Sequence, residues 1–593
     1  MTLIRITRGL SAVLFAAALV ISAPAARAAS NTPAQEIVPL LAGGATTVNG
    51  TLPGETTEAS PETEPLRPDV DALAELANEG VLPGPAPAVV PNPPNSPIAL
   101  VNPGFSGFDG LTHFDQRFAG TGKYANTQFS LEPPDQGLCV GNGFVLETVN
   151  TALSIYSTSG TLLKPATALS QFFQLAPEII RGVNLVFGDF TSDPRCLFDA
   201  ASNRWFLTLL QIGVNPKTGA FVAQSSLLIA VSQTGDPTGA WNISRVDTTN
   251  HGGTCPCFGD QPLIGANRDG FFLSTNAFPL AGGGFTGVQL YAISKAALAQ
   301  GTATSAVHLS GLPSNGFPFS VQPAVSPLAS DAGAEDGGTE LFAGLFDITQ
   351  AFQNKLSVWA LGNTRTLRSA TPHLTISTAT VGTEVFSRAL SAFQKPGPTK
   401  LRAPTDPIER LDTGGTRLQQ LTFAQGKLWT SLTTAVEAPG ETRVRAGVAY
   451  FIIDVDQGGD AVQASLRNQG YLAVEGANTF FSSVGVDRRG NAVVAFSLSG
   501  PAFFPSVAYV QLDENGQAGP VHIAAAGAGP DDGFTGYPSQ GGNGIARWGD
   551  YAAITTAADG SIWFANEYIP NKPRSLFANW GTFVSRVAVT PED

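Results

Sequence analysis

The chain has 593 residues, of which 65 are glycine and 43 are proline, and only 13% are charged. An average soluble domain has about 25% charged residues, so this composition excludes a coiled coil, a long-helix bundle and a highly charged disordered chain. The formal net charge of −14 argues against nucleic acid and anionic lipid as partners, because Lys- and Arg-rich surfaces bind both. The composition favours many short strands joined by tight turns.

The first 28 residues have the pattern of a secretory signal peptide. Arg5 and Arg8 precede an apolar run over residues 10–21, and the Ala-Arg-Ala sequence at 26–28 places small residues at the cleavage-recognition positions. The apolar run is shorter than the roughly 20 residues that a membrane-spanning helix needs. A short membrane anchor is the alternative. We therefore expect an exported protein with no membrane span in the mature chain.

Cysteine usage agrees with export. The four cysteines are Cys139, Cys196, Cys255 and Cys257. An even number in an exported chain favours two disulfides, and a bond between the last two is disfavoured because only Pro256 lies between them. The alternative is a metal site that adds His251 and Asp260 to the last two cysteines, but the second paired set of ligands typical of zinc sites is missing.

Residues 29–100 are rich in Pro, Ala, Thr and Glu, and residues 87–97 are nearly a polyproline spacer. This composition predicts a linker or a disordered arm. From residue 101 to residue 593, apolar β-forming runs alternate with turns that contain glycine, which predicts a single β-rich domain.

Seven imperfect repeats follow one another in this domain. Their first residues are Asp135, Asp193, Asp260, Glu340, Arg417, Phe480 and Asp550. In six of them a short strand meets a tight turn and then a second strand, whereas the Glu340 repeat has a longer connection over residues 347–354. The pattern predicts an all-β fold, a seven-bladed β-propeller behind a Pro-rich N-terminal arm. Six or eight blades, or tandem β-sandwich domains, are the alternatives.

The repeats also predict where a site lies. An aspartate stands at the start of the predicted innermost strand in four repeats, at Asp135, Asp193, Asp260 and Asp550. An asparagine closes the second strand in three of them, at Asn150, Asn276 and Asn566. Antiparallel strands bring these ends together at one mouth of the ring, which also collects Gln136, Arg195, Gln261 and Gln419. The structural alternative is that each aspartate only accepts backbone hydrogen bonds and fixes the start of its strand.

The last repeat is the richest in polar side chains. Acid-assisted glycoside cleavage needs a pair of carboxyl groups, one as acid and one as base or nucleophile. The candidate catalytic residues are therefore Asp550, Glu567, Asp260 and Tyr551. The candidate ligand-binding residues are Asp135, Asp193, Asn150, Asn276, Asn566, Arg547, Trp548 and Tyr568. No cofactor is expected, and a structural calcium ion at the carboxylate mouth is a separate hypothesis.

Three segments resemble exported bacterial propeller proteins of the sialidase-like, BNR-repeat type. They are SQTGDPTGAWNIS from Ser232, CFGDQPLIGANRDGFFLSTN from Cys257 and WGDYAAITTAADGSIWFANEY from Trp548. The first is a stretched version of the Asp-box that such families carry. The resemblance covers roughly residues 125–590 and implies a β-propeller in a secreted, periplasmic or cell-surface bacterial protein.

Together these features predict an exported propeller that recognises an extracellular polysaccharide or glycoconjugate, or a similar polar ligand, at one mouth of the central channel. Such a protein is a candidate glycoside hydrolase or lyase. The alternative is a non-catalytic binding or adhesion protein of the cell surface or matrix, which the Pro-rich arm favours because spacers hold modules away from an anchor.

Overall fold

The computed structural model describes residues 33–52, 90–249, 255–327, 338–457 and 461–588. The predicted signal peptide and most of the predicted linker lie outside these ranges. Strands dominate the described residues and the α-helices are at most six residues long, so the all-β fold class is confirmed. None of the helices in the described part has the length and apolar character needed to cross a membrane.

Most strands belong to four-stranded antiparallel sheets that follow one another along the chain. Three strands precede them, β1 (Ala34–Thr47), β2 (Ile98–Ala99) and β3 (Phe105–Thr112). Unit 1 contains β4 (Gly137–Gly141), β5 (Phe144–Val149), β6 (Ala152–Ser157) and β7 (Leu162–Ala168). A short hairpin follows, β8 (Ile179–Ile180) and β9 (Val186–Phe187). Unit 2 contains β10 (Phe190–Asp199), β11 (Arg204–Val214), β12 (Phe221–Ser232) and β13 (Ala240–Asp247).

The next three units repeat this order. Unit 3 contains β14 (Cys257–Ala266), β15 (Gly270–Pro279), β16 (Gly287–Ser294) and β17 (Ser305–Ser310). Unit 4 contains β18 (Phe319–Pro323), β19 (Thr339–Leu345), β20 (Phe352–Gly362) and β21 (Thr375–Ser387). After β22 (Arg410–Leu411), unit 5 contains β23 (Leu421–Ala424), β24 (Lys427–Val436), β25 (Arg445–Asp456) and β26 (Gln463–Leu472).

The last two units complete the series. Unit 6 contains β27 (Asn478–Val486), β28 (Ala492–Gly500), β29 (Phe503–Leu512) and β30 (Ala518–Ala525). After β31 (Ile545–Ala546), which pairs in parallel with β22, unit 7 contains β32 (Ala553–Thr556), β33 (Ile562–Tyr568) and β34 (Gly581–Val587). The helices are α1 (His113–Arg117), α2 (Leu169–Phe172) and α3 (Lys295–Gln300), with 3₁₀ turns at Gly122–Tyr124, Thr364–Arg368 and Pro538–Gln540.

The fourth strand of unit 7 comes from the other end of the domain. Strand β3 pairs antiparallel with β34, so that Phe105 lies opposite Val587. Apart from units 4 and 5, the first strand of each unit contacts the first strand of the next, and β32 of unit 7 contacts β4 of unit 1. Between units 4 and 5 the link is a bridge between Val325 and Thr422, together with a 2.7 Å hydrogen bond from the Gln322 amide to the Leu418 carbonyl. The first strands therefore close a circle, and the arrangement is propeller-like.

Aromatic side chains fill the space between neighbouring sheets. Phe206 of unit 2 stacks on Phe271 of unit 3 with ring centroids 4.9 Å apart, and Phe272 packs edge-on against Phe342 of unit 4 at 6.1 Å. Both faces of these sheets are apolar, so each sheet needs a neighbour on either side to keep its side chains from water.

Strand β1 departs from the prediction of a linker or disordered arm over residues 29–100. It pairs with β13 on one side, where Leu40 faces Val246, and with β17 on the other, where Ile37 faces Val307, so that units 2 and 3 become one nine-stranded sheet. The prediction is wrong for residues 34–47. Two exposed sheet edges supply the hydrogen bonds of this strand, and its Ala- and Gly-rich second half carries no strand periodicity.

The repeat that sequence analysis begins at Glu340 is out of register with the others. Glu340 lies in β19, the second strand of unit 4, and the innermost strand is β18. Strand β18 has the sequence FSVQP, which is too short and too polar to stand out as an apolar run. This explains why the Glu340 repeat has a longer connection than the other six.

The cysteines form two bonds, and one of them is the bond that the sequence disfavours. Cys139 of β4 is bonded to Cys196 of β10, with Cα atoms 5.7 Å apart, and the bond joins units 1 and 2. Cys255 is bonded to Cys257, with Cα atoms 4.6 Å apart, which lies within the usual range for a disulfide. Since the first pair is complete, the second pair has no other partner, and the alternative of a metal site with His251 loses its thiolates.

The Cys139–Cys196 bond closes a loop of 57 residues. Replacing both cysteines with alanine is expected to lower the free energy of unfolding by about 4 kcal/mol, because the unfolded chain regains the freedom that the loop removes. Denaturant unfolding of the oxidised proteins measures the difference. The matched control replaces Cys255 and Cys257, whose positions are only 2 apart. Equal losses in the two double variants would contradict this account.

Candidate functional site

The backbone enters the innermost strand of six units through a residue with positive φ. These residues are Asp135 (φ 51°), Asp193 (58°), Gln261 (51°), Ser320 (48°), Phe481 (48°) and Asp550 (53°). A register shift follows at the start of the strand in units 2, 3, 4 and 6, as a β-bulge produces. In unit 3 the equivalent of the other aspartates is therefore Gln261, and Asp260 precedes it by one residue.

Side chains from these strand starts line one narrow opening at the centre of the circle, which we call the mouth. It is lined by Asp193, Asp260, Gln261, Arg417, Arg547, Asp550 and Tyr551. Units 2, 3, 5 and 7 thus each contribute to it. The carboxylates of Asp193, Asp260 and Asp550 are no more than 8% exposed, so the mouth is a polar site with little water around its charges.

Tyr551 is held from several sides. Its hydroxyl donates to Asp193 Oδ2 at 2.7 Å, and its ring lies under the Arg195 guanidinium, 4.7 Å from the ring centroid. The Gln136 amide donates to the Tyr551 carbonyl at 2.5 Å. Burial and the negative charge of Asp193 raise the pKa of Tyr551 well above its usual value, so its hydroxyl stays protonated and donates to Asp193.

The other two carboxylates of the mouth lie beside arginine or opposite asparagine. Asp550 forms an ion pair with Arg547, three residues earlier in the same turn. Asp260 lies directly across the strand pair from Asn276, as the spacing of the repeat predicts. Charge-assisted hydrogen bonds of this kind hold side chains in fixed directions, so the mouth is preorganised.

A second layer of predicted residues lies beneath the mouth. Ser192 Oγ is 2.8 Å from Asn150 Oδ1 and 3.5 Å from Asp135 Oδ2, and Asp135 is completely buried. The Asn276 amide donates to Gln261 Oε1 at 2.9 Å, and the Asn566 amide donates to the Phe481 carbonyl at 3.3 Å. The contacts of Asn150 and Asn566 join neighbouring units, whereas that of Asn276 lies within unit 3.

Three predicted residues do not reach the mouth. Glu567 is 1% exposed and accepts a 2.6 Å hydrogen bond from the Gly549 amide. Trp548 is fully buried with its indole N–H on Ser497 Oγ at 3.1 Å, so it packs in the core instead of presenting a face to a sugar ring. The Tyr568 hydroxyl bonds to Asp109 of β3, away from the centre of the circle.

Sequence analysis missed three buried acids that belong to one group with the predicted Glu567. We call Glu132, Glu409, Asp531 and Glu567 the acidic cluster. The first three lie on long connections outside the repeats, before unit 1, between units 4 and 5, and between units 6 and 7. The adjacent acids Asp531 and Asp532 were the one sequence feature that could have indicated the cluster. Nothing in their spacing shows that they lie close to Glu409 in the fold.

Hydrogen bonds tie these three connections together. Glu132 Oε2 accepts from the amides of Phe534 and Thr535 at 3.0 and 3.1 Å. Gln394 donates to the Glu409 carbonyl at 3.0 Å and accepts from the Asp531 amide at 2.7 Å. The cluster therefore lies where the three connections meet.

Burial is the main reason that the acidic cluster holds protons. It raises the pKa of Glu132, Glu409, Asp531 and Glu567 above the ordinary carboxyl value. The charge of Asp531 adds to the effect on the three glutamates, and that of Asp532 adds to the effect on Asp531 itself. Arg574, ion-paired with Asp532, is the one cation that works against the shift of Asp531.

Metal binding has no clear geometric basis in the part of the chain that the structure describes. There, no three His, Cys, Asp or Glu side chains are arranged to hold a metal ion. The structural calcium ion remains a prediction.

No protein-family model matches the chain, and no curated protein matches it. Among solved structures, it is similar to a protein of unknown function from Dyadobacter fermentans (10% identity, TM-score 0.33, 68% of this chain and 95% of that one). The phage phi92 endosialidase has 9% identity and a TM-score of 0.34, over 82% of this chain and 70% of that one. A Trypanosoma rangeli sialidase in complex with sialic acid has 9% identity and a TM-score of 0.33, over 76% of this chain and 59% of that one. Because these identities and TM-scores are low, the conclusions about fold and function are drawn from the residues of this chain and not from these similarities.

The acidic cluster predicts that stability falls as pH rises. Unfolded carboxyl groups ionise near pH 4, whereas the folded protein keeps protons on the cluster, so the native state binds more protons and loses stability above that pH. We expect a higher melting temperature at about pH 5 than at about pH 8, and a flatter dependence in Glu409→Gln. The control is Glu514→Gln, an exposed acid of unit 6. A melting temperature that rises with pH in the wild type would contradict the prediction.

Proposed function

We propose that the protein is an exported, seven-bladed β-propeller, with units 1 to 7 as its blades, that binds a saccharide at the mouth and cleaves a glycosidic bond there. The closed circle of first strands supports the blade count, and the first 28 residues support export. Asp193, Asp260 and Asp550 are the acceptors for sugar hydroxyls in this proposal, and Arg417 and Arg547 are the donors.

The observation that carries the proposal is the chemistry of the strand starts. Gln261, Ser320 and Phe481 adopt the same backbone conformation as Asp135, Asp193 and Asp550. The positive φ therefore does not itself require a carboxylate. In units 2 and 7, the residues at this position that line the mouth are nevertheless acids, Asp193 and Asp550. Asp260 is a third acid at the mouth.

The charges at the mouth favour a neutral, hydroxyl-rich ligand. Three carboxylates repel phosphate and sulfate groups, whereas saccharide hydroxyls both donate to carboxylates and accept from guanidinium groups. Low exposure strengthens each of these hydrogen bonds, because little water competes for them.

Two carboxyl groups facing one opening can supply the acid and the base of glycoside cleavage. We assign the base or nucleophile to Asp550, which forms an ion pair with Arg547, and the acid to Asp260. Tyr551 orients the site through its hydrogen bond to Asp193. Glu567 has no direct part in this scheme, because the Gly549 amide holds it beneath the mouth.

Binding without turnover is the second candidate function. It is favoured by the narrowness of the mouth, since Asp193, Asp260 and Asp550 are at most 8% exposed. A site of this kind can hold the end of a chain or a single sugar and release it unchanged, as a surface or matrix receptor does.

The test is a saccharide array followed by calorimetry and a hydrolysis assay on the best ligand. Asp260→Asn is expected to weaken binding about tenfold and to abolish turnover, because it removes one charge-assisted acceptor and the acid. Tyr551→Phe is expected to lower turnover by about tenfold or more through loss of the Asp193 hydrogen bond.

The matched control is Tyr450→Phe, which also removes a buried hydroxyl, one that donates to the Gly516 carbonyl between units 5 and 6. It should leave binding and turnover unchanged. If the wild type binds a saccharide without cleaving it, and Asp260→Asn loses that binding, the result would support the receptor function. Saccharide binding that all three variants keep would exclude the mouth.

A further inference from the structure

A separate cavity of about 310 Å³ lies among the first strands of the circle, and it is lined by Arg195, which stacks on Tyr551 of the mouth. Every unit contributes to its wall. The contributing residues include Leu138, Phe198, Ile264, Val325, Thr422, Gly485 and Ile554. The volume is at the lower end of the range of small-molecule sites, which is about 300–1,000 Å³.

The wall of this central cavity is mostly apolar near its middle. Leu138, Val140, Ile264 and Ile554 line it and are between 4% and 8% exposed. These side chains come from the innermost strands, so they belong to a rigid part of the fold. A ligand that fills this space therefore has an apolar body.

Cationic side chains outnumber acids in the same wall, although the whole chain has a net charge of −14. Exposed Arg268 and Arg488 stand at the rim. Lys295 lies beside them, ion-paired with Asp199 at 2.9 Å. A positive rim on an acidic protein attracts anions and raises their local concentration.

Arg195 closes the inner end of the cavity. It is only 6% exposed, and its Nη1 has no hydrogen-bond partner among the described residues. Arg195 is one of the residues that line the cavity, and its guanidinium stacks on the ring of Tyr551. A buried arginine nitrogen without an acceptor is costly, and a carboxylate satisfies it with a strong charge-assisted bond.

We propose that the central cavity binds a small amphipathic carboxylate, with its carboxylate on Arg195 and its apolar body against Leu138, Val140, Ile264 and Ile554. The site is independent of the saccharide function of the mouth. The rim arginines steer the anion toward the opening, and the apolar wall selects against small, fully hydrated anions such as phosphate.

Calorimetry with phenylbutyrate as the probe tests the proposal on the full-length protein. Wild type is expected to bind phenylbutyrate at least about tenfold more tightly than the neutral phenylbutyramide and than inorganic phosphate. Arg195→Met, which keeps the length and removes the charge, is expected to lose at least about tenfold in affinity.

Two further variants keep the test decisive. Ile554→Phe fills the apolar part without touching a charge and is expected to lower affinity by at least about tenfold even if Arg195→Met does not fold. Arg467→Met removes an exposed arginine of unit 5 and is expected to leave the affinity for phenylbutyrate unchanged. Equal binding of the acid and the amide, unchanged binding in both cavity variants, or no binding at millimolar phenylbutyrate would overturn the proposal.

Discussion

The structure depends on the closure of the circle by β3. A sheet that is apolar on both faces cannot be stable alone, because one face always remains in water. In a circle every sheet has two neighbours, but the last unit has only three strands from its own part of the chain. Strand β3 supplies the fourth, and its pairing with β34 turns a row of sheets into a closed assembly. The Cys139–Cys196 bond and β1 then reinforce the arc from unit 1 to unit 3.

The same closure creates both candidate sites. The first strands line both of them, and the stacked pair of Arg195 and Tyr551 connects the two, since Tyr551 lines the mouth and Arg195 lines the central cavity. On one side the strand starts carry acids and arginines, while on the other the middle of the strands carries aliphatic side chains. One fold thus offers a polar opening and an apolar cavity a short distance apart, with a single buried arginine between them. The positions of Asp193 and Asp550 have a double role, since they shape the backbone and also provide carboxylates.

Sequence patterns predicted the features that repeat. The all-β class, the turns and the convergence of strand starts all follow from recurring residue types, and Asp260 does face Asn276. The repeats could not predict what occurs once. Strand β1 is stabilised by edges that its own sequence does not reveal, and Glu409 meets Asp531 only because two long connections cross. In unit 3 the residue equivalent to the other aspartates is Gln261 and not Asp260, because the strand contains a bulge. An alignment of apolar runs cannot show such a bulge. Trp548 is two residues before Asp550 in sequence, yet it is fully buried in the core with its indole N–H on Ser497.

The pairing of β3 with β34 has a consequence for biosynthesis. The Thr582 hydroxyl donates to the Leu111 carbonyl, 471 positions earlier in the chain. At about 5–20 residues per second, a ribosome takes on the order of a minute to make the intervening polypeptide. During that time β3 has no partner strand, and an unpaired strand is prone to pair with other molecules. The nascent chain therefore needs protection by chaperones until its final strand has emerged.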